Sequence, residues 1–86
     1  MSINFSAMEY SNVLANEIYE LLTPLLGTMM SDATLKVQCK KIGVTIDALS
    51  ASNLPAFAKN LEMGLVIFVG SDKAKEISSR ILKLAS

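Results

Sequence analysis

The chain has 86 residues, 51% hydrophobic and 19% charged, with eight Lys/Arg balanced by eight Asp/Glu, no His, no Trp and one Cys. That length and apolar share suit one small domain over residues 1–86, because disorder needs low hydrophobicity and high net charge. The absent histidines and the lone cysteine exclude a His/Cys zinc site and a disulfide framework, and zero net charge removes any general attraction to nucleic acid or an anionic membrane.

The first twelve residues hold neither Lys nor Arg and no apolar segment, so no secretory leader is expected. The strongest apolar run, Gly64 to Gly70, is about a third of the roughly 20 residues needed to span a bilayer. A cytoplasmic protein without membrane attachment is the expectation, and the free Cys39 suits a reducing compartment.

In chain order, residues 1–5 are expected to be flexible. Ser6-Ala7-Met8-Glu9 then has the S-x-x-E spacing of a capping box and predicts a first helix from Met8 to Leu22. Met8, Tyr10, Leu14, Ala15, Ile18, Leu21 and Leu22 fall on one side of it. Glu9, Asn12, Asn16, Glu17 and Glu20 fall on the other, with Val13 an apolar exception among them.

Thr23-Pro24 predicts a fresh start, since Thr caps well and Pro at the first helical position loses no hydrogen bond. The alternative is one helix kinked at Pro24. The second helix runs from Pro24 to about Ile42, with Gly43 as its left-handed terminator. It carries two apolar stripes: Leu25, Leu26, Met29, Met30, Ala33 and Val37 on one face, and Leu35, Cys39 and Ile42 nearly opposite. One face therefore has to pack inward while the other meets a second subunit or another helix.

Thr45 or Asp47 caps a short helical turn through Ala48 and Leu49, and the cluster from Ser50 to Asn53 breaks it. A third helix begins near Leu54-Pro55, with Leu54, Phe57, Ala58, Leu61, Leu65 and Phe68 at helical spacing. Residues 65–69 are β-branched and aromatic between glycines, so a strand there, giving an α+β fold, is the alternative. Helix is preferred because no second segment reads as a strand to pair with it. Ser71 caps a final helix whose Ala74, Ile77, Ile81 and Leu84 form one stripe. The expected architecture is all-α, a compact bundle of four main helices plus a short helical turn, with no internal repeat evident.

The segment 37–53 contains Cys39 four residues before Gly43 and Leu49 six after it. This spacing is similar to the turn of a helix-turn-helix motif, and the similarity implies a small DNA-binding transcriptional regulator with Lys36, Lys40 and Lys41 as phosphate contacts. Yet there is no Lys or Arg between Ile42 and Ala58, and Asp47 on the reading surface would repel the duplex. A structural corner is the preferred reading, and nucleic acid is not an expected partner.

Chemistry is equally sparse. Cys39 has lysines nearby, but without any His it lacks the usual base and reads as a packed thiol. Glu17 and Glu20 share a solvated face, and Asp32 adds no metal-loop pattern. No phosphate-binding glycine motif occurs, so no catalytic residue, cofactor or metal is expected, and the chain is not expected to be an enzyme.

Residues 1–34 hold four acids and no base, whereas 35–86 hold all eight bases and four acids. This asymmetry suits antiparallel packing within the chain or pairing between chains. Together these features predict a non-enzymatic helical interaction or dimerisation module with a regulatory or scaffolding role. Its partner would be a second copy or another protein, met through a face containing Met29, Met30, Leu35, Cys39 and Ile42.

Overall fold

The computed structural model describes residues 10–84. It contains three α-helices, α1 (Val13–Lys41), α2 (Leu54–Val69) and α3 (Ser71–Lys83), with two 3-10 turns, Ile46–Ala48 and Ala51–Asn53, between the first two. The all-α class holds: residues 65–69 belong to α2, and no strand occurs among the described residues. Three helices replace the expected four because α1 runs through Thr23-Pro24.

The expected flexible stretch 1–5 and the capping box Ser6–Glu9 lie outside the described residues. Tyr10 to Asn12 are not helical, so the first helix starts at Val13, five residues later than the Met8 expectation. Asn12 is its cap: the side-chain oxygen accepts from the backbone N–H groups of Leu14 (2.9 Å) and Ala15 (3.3 Å).

Thr23 is not a cap, since its hydroxyl donates to the Tyr19 carbonyl inside the helix at 2.7 Å. Pro24 costs α1 one hydrogen bond without ending it. The break comes at Gly27, whose φ of 82° and ψ of 167° lie in a region essentially reserved for glycine. A straight helix of 29 residues would be about 43 Å long. The whole molecule measures 37 × 25 × 23 Å, so α1 turns back at Gly27 into two arms, residues 13–26 and 28–41.

Side chains fix the antiparallel arrangement of these arms. The Tyr10 ring meets Tyr19 edge-on at 5.5 Å while its hydroxyl donates to Asp32 on the second arm. The Asn12 amide nitrogen donates to the carbonyls of Ile46 (3.0 Å), Asp47 (3.1 Å) and Leu49 (2.8 Å), just beyond the end of that arm. Gly43 closes the second arm as expected. Its N–H reaches the Lys40 carbonyl and the next N–H, of Val44, reaches the Cys39 carbonyl, the Schellman pattern that needs a positive φ at the glycine.

α2 and α3 form a second helical hairpin whose corner, Gly70, has φ 85° and ψ 165°. Gly70 rather than Ser71 occupies the cap position of α3, one residue earlier than expected. The two corners share one conformation 43 positions apart, and the burial pattern follows the same offset. Ala15, Ile18, Leu22, Ser31, Leu35 and Gln38 are buried in the first hairpin; Ala58, Leu61, Leu65, Ala74, Ser78 and Ile81 are buried at the equivalent places in the second. This is an internal repeat, contrary to the expectation. Over the 29 aligned positions only Ala15/Ala58, Leu22/Leu65, Gly27/Gly70 and Lys40/Lys83 are identical, so composition hides it.

One core joins the hairpins, with Phe57, Ile18, Leu22, Leu35, Leu54, Leu61 and Ile81 fully buried. Burying each such side chain contributes about 1.5–3 kcal/mol.

Candidate functional site

The interaction face expected from the sequence divides. Leu35 and Cys39 are 0% and 1% exposed and Ile42 is half-buried, so this stripe of the second arm serves the chain's own core and cannot receive a partner. The turn at Gly27 determines the choice: by folding the second arm against the first, it directs Leu35 and Cys39 inward. The opposite stripe is left outside, with Met29 87% exposed and Met30 and Val37 about half exposed.

Those residues belong to a larger apolar surface. Leu26 and Met30, beside the Gly27 corner, line one groove with Leu65 and Phe68, which precede the Gly70 corner, so both corners lie at the same end of the molecule. Residues 21–31 and 63–71, which build this end, include no charged side chain. Ile67 is 83% and Phe68 63% exposed there, and Leu25, Met63 and Val66 are exposed as well. Phe68 thus departs from the expectation that it extends the buried stripe of α2. Two hairpin turns without a charge, bearing exposed Met, Ile and Phe, form the kind of contiguous apolar patch that soluble domains reserve for binding.

Between the second arm of α1 and α2 the surface deepens into a groove of about 210 Å³. Its lining is apolar except for Thr34 and Gln38, and it borders Gly64. The Gln38 side-chain oxygen is buried without a hydrogen-bond partner, as is the Ser31 hydroxyl on the same arm. Sequence reasoning passed over Gln38, although a glutamine beside Cys39 on the inward stripe was the available signal.

The other end of the molecule is polar. A broad, open cleft of about 780 Å³ lies among Tyr10, Asp32, Lys36, Lys40 and the 43–47 turn. Asp32 accepts from the Tyr10 hydroxyl and pairs with Lys36 at 2.9 Å. The Tyr10 hydrogen bond chiefly, and then Lys36, hold its carboxyl below the usual value of 3.8. An aspartate so engaged stays ionised and is not poised to exchange protons near neutral pH.

Cys39 borders this cleft, but burial pushes its thiol pKa up, so it stays protonated and weakly nucleophilic. Lys40 and Lys41 are exposed in the last turn of α1, and Lys36 is committed to Asp32. The segment 37–53 does not form a helix-turn-helix corner: after Gly43 it holds two 3-10 turns of three residues each, and the next α-helix begins only at Leu54. Thr45 caps the first turn, accepting from the Ala48 N–H at 3.2 Å, as the sequence indicated.

The ion pairs Asp32–Lys36, Glu76–Lys73 and Glu76–Arg80 each lie within a single helix. Glu17 and Glu20 are exposed on the first arm, and the described residues hold no group of three or more His, Cys, Asp or Glu able to surround a metal ion. Among the described residues, no helix is long and apolar enough to cross a membrane. No protein-family model, curated protein or solved structure matches this chain.

Proposed function

We propose that this chain is a non-enzymatic helical interaction module that pairs with a second copy of itself through the uncharged end where its two glycine corners meet. The observation that carries the reading is the exposure of Met29, Ile67 and Phe68 on two segments, 21–31 and 63–71, without a charge between them. Methionine and aromatic side chains are enriched, and charged ones depleted, at the centres of protein interfaces. A twofold pairing brings each patch against its own copy, so a patch of one charge sign would repel itself, whereas an uncharged apolar one is self-compatible. The second copy is favoured for that reason, and a regulatory or scaffolding role follows from the absence of reactive chemistry in the sequence motifs.

Light scattering coupled to size exclusion, across a wide concentration range at about physiological salt, tests the reading. The wild-type chain is expected to run as a dimer, and Ile67→Asp and Phe68→Asp as monomers with unchanged far-UV circular dichroism, since both side chains already face solvent. A wild-type monomer at the highest concentration refutes self-pairing, and a dimer that survives both substitutions refutes this face. Leu35→Asp is no substitute, because a carboxylate at that fully buried position would unfold the chain.

A further inference from the structure

We propose that the groove between the second arm of α1 and α2 binds a neutral, largely apolar small molecule that donates one hydrogen bond to Gln38. The inference goes beyond self-pairing and stands on two observations independent of it. The first is Gln38 itself: it is only 6% exposed, it lines the groove, and its side-chain oxygen has no partner. A buried amide oxygen left unpaired is costly, and in native proteins such a group usually signals a missing donor.

The second observation is Gly64. The other three glycines take positive φ and are explained by their corners; Gly64 is not among them and sits inside α2. Glycine there weakens the helix relative to alanine. Close approach does not require it either, because a Cβ built at Gly64 would meet only the Gln38 amide nitrogen, at 3.8 Å, an ordinary contact. What the missing side chain does is leave space over the Gln38 amide, on the wall of the groove opposite Met30 and Val37.

The lining sets the ligand class. No Asp, Glu, Lys or Arg borders the groove, so a carboxylate or ammonium would be desolvated without a counter-charge, which selects a neutral molecule. A dry apolar cavity of about 150 Å³ accepts benzene, so the roughly 210 Å³ here has room for a one- or two-ring aromatic. Apolar walls with a single acceptor match a molecule such as a phenol or an indole, which carries one O–H or N–H.

Indole is the probe, titrated into the ¹⁵N-labelled full chain and followed by two-dimensional NMR, with 1-methylindole as the analogue that has no donor. Saturable shifts are expected around Gln38 and Gly64, with indole bound about 5–10-fold more tightly than 1-methylindole, the effect of one hydrogen bond to a buried acceptor. Gly64→Leu, which fills the groove, is expected to abolish the shifts, while Gly64→Ala keeps them. In Gln38→Met the preference for indole should vanish. Absence of saturable shifts up to the solubility of indole overturns the proposal, as does an unchanged indole preference in Gln38→Met. Undiminished binding to a folded Gly64→Leu chain does the same. Because the readout is residue-specific shift rather than mass, a failure of self-pairing does not mimic any of these results.

Discussion

Replacing Asn12 tests how the first hairpin is held shut. Its carboxamide caps α1 through Leu14 and Ala15, and its nitrogen faces three carbonyls, those of Ile46, Asp47 and Leu49. The nitrogen has two hydrogens, so the three acceptors share the equivalent of two bonds. With the cap worth about 1 kcal/mol and each neutral hydrogen bond about 1 kcal/mol, Asn12→Ala should cost about 3 kcal/mol. Asn12→Ser retains a capping oxygen and loses both donors, for about 2 kcal/mol. Asn12→Asp also keeps the cap, and a charge at a helix N-terminus is worth 0.3–1 kcal/mol, but it turns a carboxylate toward three carbonyl oxygens and should be no more stable than the Ser variant. A domain of this size loses roughly 4–8 °C of Tm per kcal/mol, so the Ala variant should melt roughly 12–24 °C lower. Urea and thermal unfolding followed by far-UV circular dichroism measure all three. A Ser variant within about 0.5 kcal/mol of wild type, or an Asp variant more stable than the Ser one, would refute the clamp.

Three further outcomes are expected. At Gly27 and Gly70 an added Cβ meets open space, so the cost of L-alanine is conformational, about 1–3 kcal/mol each, whereas D-alanine, for which positive φ is relaxed, should be neutral or stabilising by about 0.5–1 kcal/mol; urea titration of synthetic chains gives the comparison. Asp32 has a folded pKa below its usual 3.8, so its stabilisation is complete above the unfolded value and disappears as pH falls through the folded one. Tyr10→Phe should raise that pKa and flatten the acid side of the stability profile, as a carboxyl-carbon NMR titration of Asp32 would record. Cys39 should react with an aromatic disulfide reagent only as fast as the fold opens, and at once in denaturant; rapid full labelling of the native chain would contradict its burial.

Much of the helical framework was legible because short-range chemistry sets it. Gly43 terminates α1, Leu54-Pro55 opens α2, and the buried stripe from Leu54 to Leu65 repeats at helical spacing. The break between the arms was not legible. Proline at position 24 looks like the stronger punctuation, yet near a helix end it removes one hydrogen bond, while Gly27 reaches a backbone region closed to other residues. Nor could spacing decide which stripe of the second arm faces inward, since Leu35/Cys39 and Met29/Val37 are both apolar at helical period. That choice depends on where the first arm lies. The Asn12 clamp was hidden for the same reason, as its acceptors stand 34 to 37 residues away. At the candidate site, Met29 and Met30 were identified, whereas Ile67, Phe68 and the Gln38–Gly64 groove emerged only once the two hairpins were set side by side.

The two matching glycine corners make this monomer equivalent to a tethered pair of hairpins. Each hairpin buries its inner face only against the other, and the segment with the two 3-10 turns acts as a leash that holds them at a high effective concentration. Cleaving the chain between Ser50 and Ala51 would leave the Asn12 clamp intact in the first fragment while making assembly bimolecular. Folding would then follow mass action, with a melting temperature that rises with fragment concentration instead of being a fixed property of the chain.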